Sequence, residues 1–183
     1  PIPRSRTRGR NSRRIPFYVV SIAWETEGKL QLGVVYDPTH DECFAAEREK
    51  GAWLNGAPLQ VTPASDLEKT LHTTSFARQD AGKFERNLRN FAHLSRYSLG
   101  VRRMGCAALE LCYVACGRVD AYWEQGINAW DIAAAALIVE EAGGVVTTPE
   151  GDPIYFKPPY AILAAAPGIH GQLVALFSQL DQT

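Results

Sequence analysis

At 183 residues and 46% hydrophobic content, the chain can form one large or two small domains around a sizeable buried core. No run approaches the roughly 18 apolar residues a membrane span needs, and the N-terminus lacks an apolar signal-peptide core. The net charge is −1, but residues 1–14 hold six arginines and no acid, so the rest carries 13 of the 19 basic residues and all 20 acidic ones, a balance that argues against a nucleic-acid role for the body of the protein.

In chain order, residues 1–14 (PIPRSRTRGRNSRR) have no periodicity and are expected to be a disordered Arg-rich arm. From residue 15 the reading is β. Phe17 to Trp24 and Lys29 to Tyr36 are β-branched and aromatic runs joined by Thr26-Glu27-Gly28, a hairpin signal. Glu42 to Glu47 reads as a third strand, Asn55-Gly56 as a turn, and Leu59 to Val61 as a short strand. Residues 15–70 are thus expected to form an antiparallel sheet, and residues 71–183 an α/β subdomain. There, Phe84 to Leu94 has the spacing of an amphipathic helix. Strands are expected at 101–104, 119–123, 145–147 and 161–165, and helices at 107–116, 131–142 and 169–180. The helix from Asp131 is apolar all round for two turns and alanine-rich, so it should lie buried between layers.

Few residues there can carry chemistry. Asp131 opens the buried helix and Glu124 ends the strand before it, so two carboxylates converge where ligand crevices form in layered sheets. An Asp at that place is equally read as an N-cap, and a Glu at a strand end as a solvated residue. Gly105-Cys106-Ala107 starts a helix whose exposed N–H groups could bind an anion, or simply needs small residues. His40, His72, His93 and His170 lie at no ligand spacing and read as structural or surface residues. Of the four cysteines (Cys43, Cys106, Cys112, Cys116), Cys112 and Cys116 share an apolar segment without a metal-spaced partner. They read as buried thiols of a cytoplasmic protein.

The stretch EQGINAWDIAAAALIVEEAGG, Glu124 to Gly144, resembles the C-terminal Trp-Asp motif of the inositol monophosphatase family. RRMGCAALELCYVACGRVDAYWE is similar to the family's Arg-x-Gly-Ser-Ala-Ala helix and following strand, with Cys106 where Ser is usual. RIPFYVVSIAW, GVVYDP and EKGAWLNG match further segments in family order, so the likeness covers residues 14 to 180. The resemblance implies an α+β sandwich of the sugar-phosphatase type: an antiparallel sheet, a second mixed sheet and helices between. It also implies hydrolysis of phosphate monoesters of inositol or a similar sugar, with two or more Mg²⁺ ions activating water, and a homodimer. On the matching positions, Asp131 would be a metal ligand that also touches substrate, Glu124 would bond sugar hydroxyls, and the backbone of Gly105, Cys106 and Ala107 would line the substrate site.

The chain also departs from the family pattern. The family's main metal motif, Asp-Pro-x-Asp-Gly-Thr, would end just before Ile15, where this sequence is Arg-rich and has no carboxylate. The preceding Glu-Glu motif and N-terminal helices have no counterpart. The chain alone is therefore expected to be impaired in hydrolysis. A frame or start error upstream is the expected origin of the arm, against a genuine basic arm. The alternatives to an inositol-phosphate phosphatase are an inactive family member with a binding role, and a nucleotide-phosphate or histidinol-phosphate phosphatase.

Overall fold

A computed structural model describes residues 16–76 and 80–182; the Arg-rich arm lies outside the described residues. The first sheet is an antiparallel meander of β1 (Val20–Thr26), β2 (Lys29–Asp37), β3 (Glu42–Glu47), β4 (Gly51–Leu54) and β5 (Ala57–Pro58), in that order. Its tight turns follow from local chemistry. Glu27-Gly28 and Asn55-Gly56 each place two consecutive residues at positive φ, matching the twist of the strands they join. The strand expected at Leu59 to Val61 does not form. Val61 N–H instead bonds the Ala142 carbonyl at 3.1 Å, tying the segment to the end of a helix.

The second sheet is mixed, in the order β7 (Gly100–Arg102), β6 (Leu71–Thr74), β8 (Ala121–Gln125), β10 (Ala161–Ala165), β9 (Val145–Thr147). Strand β6 runs parallel to β7 and β8, and β10 antiparallel to β8 and β9. Helices α1 (Ala81–Tyr97), α2 (Ala107–Ala115), α3 (Ala129–Glu141) and α4 (Pro167–Leu180) complete the fold. Asp80 caps α1 by accepting from Lys83 N at 3.0 Å.

Alternation along β8 separates two cores. Tyr122 joins Leu109, Ile132, Leu137 and Ile162 between the sheets, whereas Ala121 and Trp123 face Leu94, Leu173 and Phe177. Helices α2 and α3 thus fill the space between the sheets, with α1 and α4 on the far face of the second. The α+β sandwich with helices between an antiparallel and a mixed sheet is the one expected from the sequence. The other face of the first sheet is open among the described residues: Val20, Ile22 and Trp24 are 52%, 63% and 57% exposed.

Helix α3 has eight consecutive buried residues, Ile132 to Val139, because both flanks are covered. Its last turn is acidic, which the helix dipole disfavours, and its surroundings compensate. Glu140 accepts from Arg48 Nη1 at 2.6 Å and from Tyr155 Oη at 2.7 Å. Glu141 accepts from the backbone N–H groups of Glu49 and Gly51 at 2.9 and 3.0 Å.

Candidate active site

A cavity of about 180 Å³ opens where β8 ends and helices α2 and α3 begin. It is lined by Gly105, Cys106, Ala107 and Ala108 at the start of α2, by Glu124 of β8, and by Ile127, Asn128, Trp130 and Asp131 around the start of α3. Val19 and Ser21 border it from the first sheet, and Ser75 from the loop after β6. All five residues expected at the site therefore line one cavity.

Their environments differ from expectation. Helix α3 starts at Ala129, two residues before Asp131, and Asn128 is its N-cap. Asp131 is thus not the cap. It sits in the first turn, where the dipole favours a carboxylate, and its Oδ2 accepts from Asn128 Nδ2 at 3.1 Å. Burial pushes its pKa up, against the opposing effect of the Asn128 bonds. Glu124 is not a solvated strand end: it is 9% exposed, and Tyr122 Oη donates to its Oε2. Burial, the largest cause, pushes Glu124 up to about 7; the Tyr122 bond opposes this, and the charges of Glu110 and Asp131 add to it. Near neutral pH this carboxyl can therefore both accept and donate.

The helix-start amides are also committed differently. Gly105 and Cys106 N–H groups both donate to Glu110 Oε1, at 2.5 and 3.0 Å, and so are not turned to an outside anion. Glu110 is the site neighbour that sequence reasoning missed. Its position four residues after Cys106, close to capping-box spacing, was the available signal. Ser75, Asn128 and Trp130 were missed too, the first because β6 itself was not foreseen. Arg103, which stacks over Phe76 at 5.3 Å, acts on Glu124 through its charge, opposing the burial effect.

The histidines lie elsewhere. His72 bonds Thr70, His170 bonds Thr147, His40 pairs with Asp37 and His93 stacks on Tyr97. None of the four cysteines forms a disulfide. The cavity's carboxylates and carbonyls are hard oxygen donors of the kind Mg²⁺ takes. No three Asp, Glu, His or Cys side chains converge on a metal position among the described residues. The donors thus fit in kind and fall short in number.

In this layered sandwich the cavity lies at the end of a central strand and the start of a buried helix, where α/β folds commonly bind small molecules. Residues 12–182 match the inositol monophosphatase family over nearly the whole chain, and the protein belongs to that family. It is 42% identical over 158 residues to an inositol-1-monophosphatase of Synechocystis, covering 86% of this chain and 55% of that one. It is 44% identical over 155 residues to a Nus factor SuhB of Pasteurella multocida, covering 85% and 58%. The structure of an inositol monophosphatase from Anabaena superposes with a TM-score of 0.87 at 42% identity, over 93% of this chain and 67% of that one. The chain thus spans just over half the length of these two curated relatives.

Proposed function

We propose that this chain carries the substrate-binding wall and one metal ligand of a Mg²⁺-dependent hydrolase of inositol phosphate or a similar small sugar phosphate. The observation that carries the reading is the convergence of Asp131, Glu124 and the Gly105–Ala107 backbone on one cavity. Glu124, buried and held by Tyr122, bonds sugar hydroxyls. Asp131 would offer its carboxylate to a cation and accept from a hydroxyl of the substrate. Bound Mg²⁺ would activate water and neutralise phosphate charge. One carboxylate does not hold two such ions, so turnover by this chain alone is weak. The free thiol chemistry of a reducing cytoplasm suits its cysteines.

The test is phosphate release from inositol 1-phosphate with and without Mg²⁺, set beside nucleotide and histidinol phosphates and an Asp131→Ala control. Mg²⁺-dependent release that survives in the control removes Asp131 from the metal site. Robust, Asp131-dependent turnover instead overturns the impairment. A binding role without hydrolysis is the second reading, favoured by the 44% identity to a protein named as a Nus factor.

A further inference from the structure

Glu110 is completely buried, on the turn of α2 behind the cavity wall. Its Oε1 draws in two successive amides, from Gly105 at 2.5 Å and Cys106 at 3.0 Å, across a turn in which Gly105 holds φ at +84°. The Gly105–Cys106 peptide unit is trans, so the carbonyl of Gly105, a residue that lines the cavity, points away from the Glu110 carboxylate. Gly105 and Cys106 line the cavity, and Glu110 is not among its lining residues. The carboxylate thus grips the turn from the protein side.

We propose that Glu110 is a positioning residue of the substrate pocket. It holds the Gly105–Cys106 turn with its amides inward and the Gly105 carbonyl toward the ligand, so that this wall receives a polyol hydroxyl rather than an anion. The specificity clause rests on the sugar-phosphate reading above; the grip on the turn does not. The competing role is a cap alone, in which Glu110 stabilises the start of α2 and leaves the pocket indifferent.

Three proteins separate the two: the native chain, Glu110→Gln and Glu110→Met. Amide hydrogen exchange is followed by NMR, and myo-inositol 1-phosphate and inorganic phosphate are titrated calorimetrically in Mg²⁺. In the native chain the Gly105 and Cys106 amides should exchange slowly; exchange as fast as in the exposed β1–β2 turn overturns the proposal whether or not any ligand binds. Glu110→Gln keeps an acceptor and should bind inositol 1-phosphate nearly as the native chain does. Glu110→Met keeps the volume without the acceptor and should lose roughly tenfold or more, the usual effect of removing a group that orients a binding residue. Inorganic phosphate affinity should not fall with it. Unchanged inositol 1-phosphate affinity in a folded Glu110→Met protein overturns the proposal. If that variant does not fold, Glu110→Gln decides, because its neutral amide oxygen accepts more weakly than a carboxylate: modestly faster exchange confined to Gly105 and Cys106 supports positioning, and unchanged exchange or uniform acceleration along α2 overturns it. Protected amides in a native chain that binds no inositol 1-phosphate sink the sugar-phosphate reading and leave the grip on the turn standing.

Discussion

Gly33, in the middle of β2, meets the backbone of Ala134 in α3 so closely that a β-carbon at position 33 would overlap the Ala134 carbonyl oxygen and stand 3.0 Å from its Cα. The obstacle is main chain, which no rotamer change removes. Gly33→Ala is therefore expected to destabilise the fold by about 1–3 kcal/mol, lowering Tm by several degrees. Gly171, in α4, has open space where a methyl group would stand, with nothing within 4 Å, and Gly171→Ala should stabilise by up to about 1 kcal/mol. Thermal melts of the two variants check both signs.

Glu124 and His72 set opposing pH dependences. Burial raises Glu124 from 4.5 to about 7, so the folded chain holds a proton there that the unfolded chain releases. The resulting penalty is absent below pH 4.5 and complete above 7. Burial lowers His72 from 6.5 to about 4, so its contribution is intact above pH 6.5 and is lost as pH falls toward 4. Each amounts to at most about 3 kcal/mol. Between pH 4.5 and 6.5 the two slopes oppose. Urea unfolding should show Glu124→Gln gaining stability as pH rises through that window, with the native protein nearly flat. Parallel profiles for the two proteins would contradict the assignment.

Asp120 fastens the segment between the sheets. It accepts from Thr62 Oγ1 at 2.6 Å and from the backbone N–H of Leu71, the first residue of β6, at 2.8 Å. Asp120→Ala should cost about 1–3 kcal/mol, and Asp120→Asn, which retains an acceptor oxygen, distinctly less. Denaturant midpoints measure the difference.

The open face of the first sheet predicts association. Val20, Ile22 and Trp24 alternate on β1, and Leu32, paired with Trp24, extends the patch onto β2 at 40% exposed. Sedimentation velocity of the native chain should show mass rising with concentration, and the Ile22→Lys and Trp24→Lys variants should shift it toward monomer. A native chain that stays monomeric throughout the concentration range refutes this.

Much of the fold was legible because period and punctuation agreed: β3, β9 and β10 fall at their expected bounds, and α3 at its expected depth. Strand β6 was missed because three of its four residues, His72, Thr73 and Thr74, are polar, and all three are buried. A polar strand at the centre of a sheet carries no hydrophobic signal; its place is set by parallel pairing with β7 and β8, which only the fold supplies. Strand β4 was hidden by Gly51 and Asn55, which read as loop. That Asp131, Glu124 and Gly105–Ala107 would lie together was legible, and the electrostatics of the cavity they line were not. Nothing local in Glu124 says that Tyr122 will bond it, and nothing in Asp131 says that the cap lies at Asn128.

Helix α3 gives the pocket a reference point far from the pocket. It is a rod of 13 residues, about 20 Å long, with Asp131 near one end and Glu140 and Glu141 at the other. The far end is seated by Arg48, Tyr155 and the backbone amides of Glu49, in the β3–β4 turn, and Gly51, which opens β4. That seat acts as a datum: it sets how far the rod projects, and with it where the Asp131 carboxylate stands. The place of the carboxylate at the cavity thus depends on residues that do not line it.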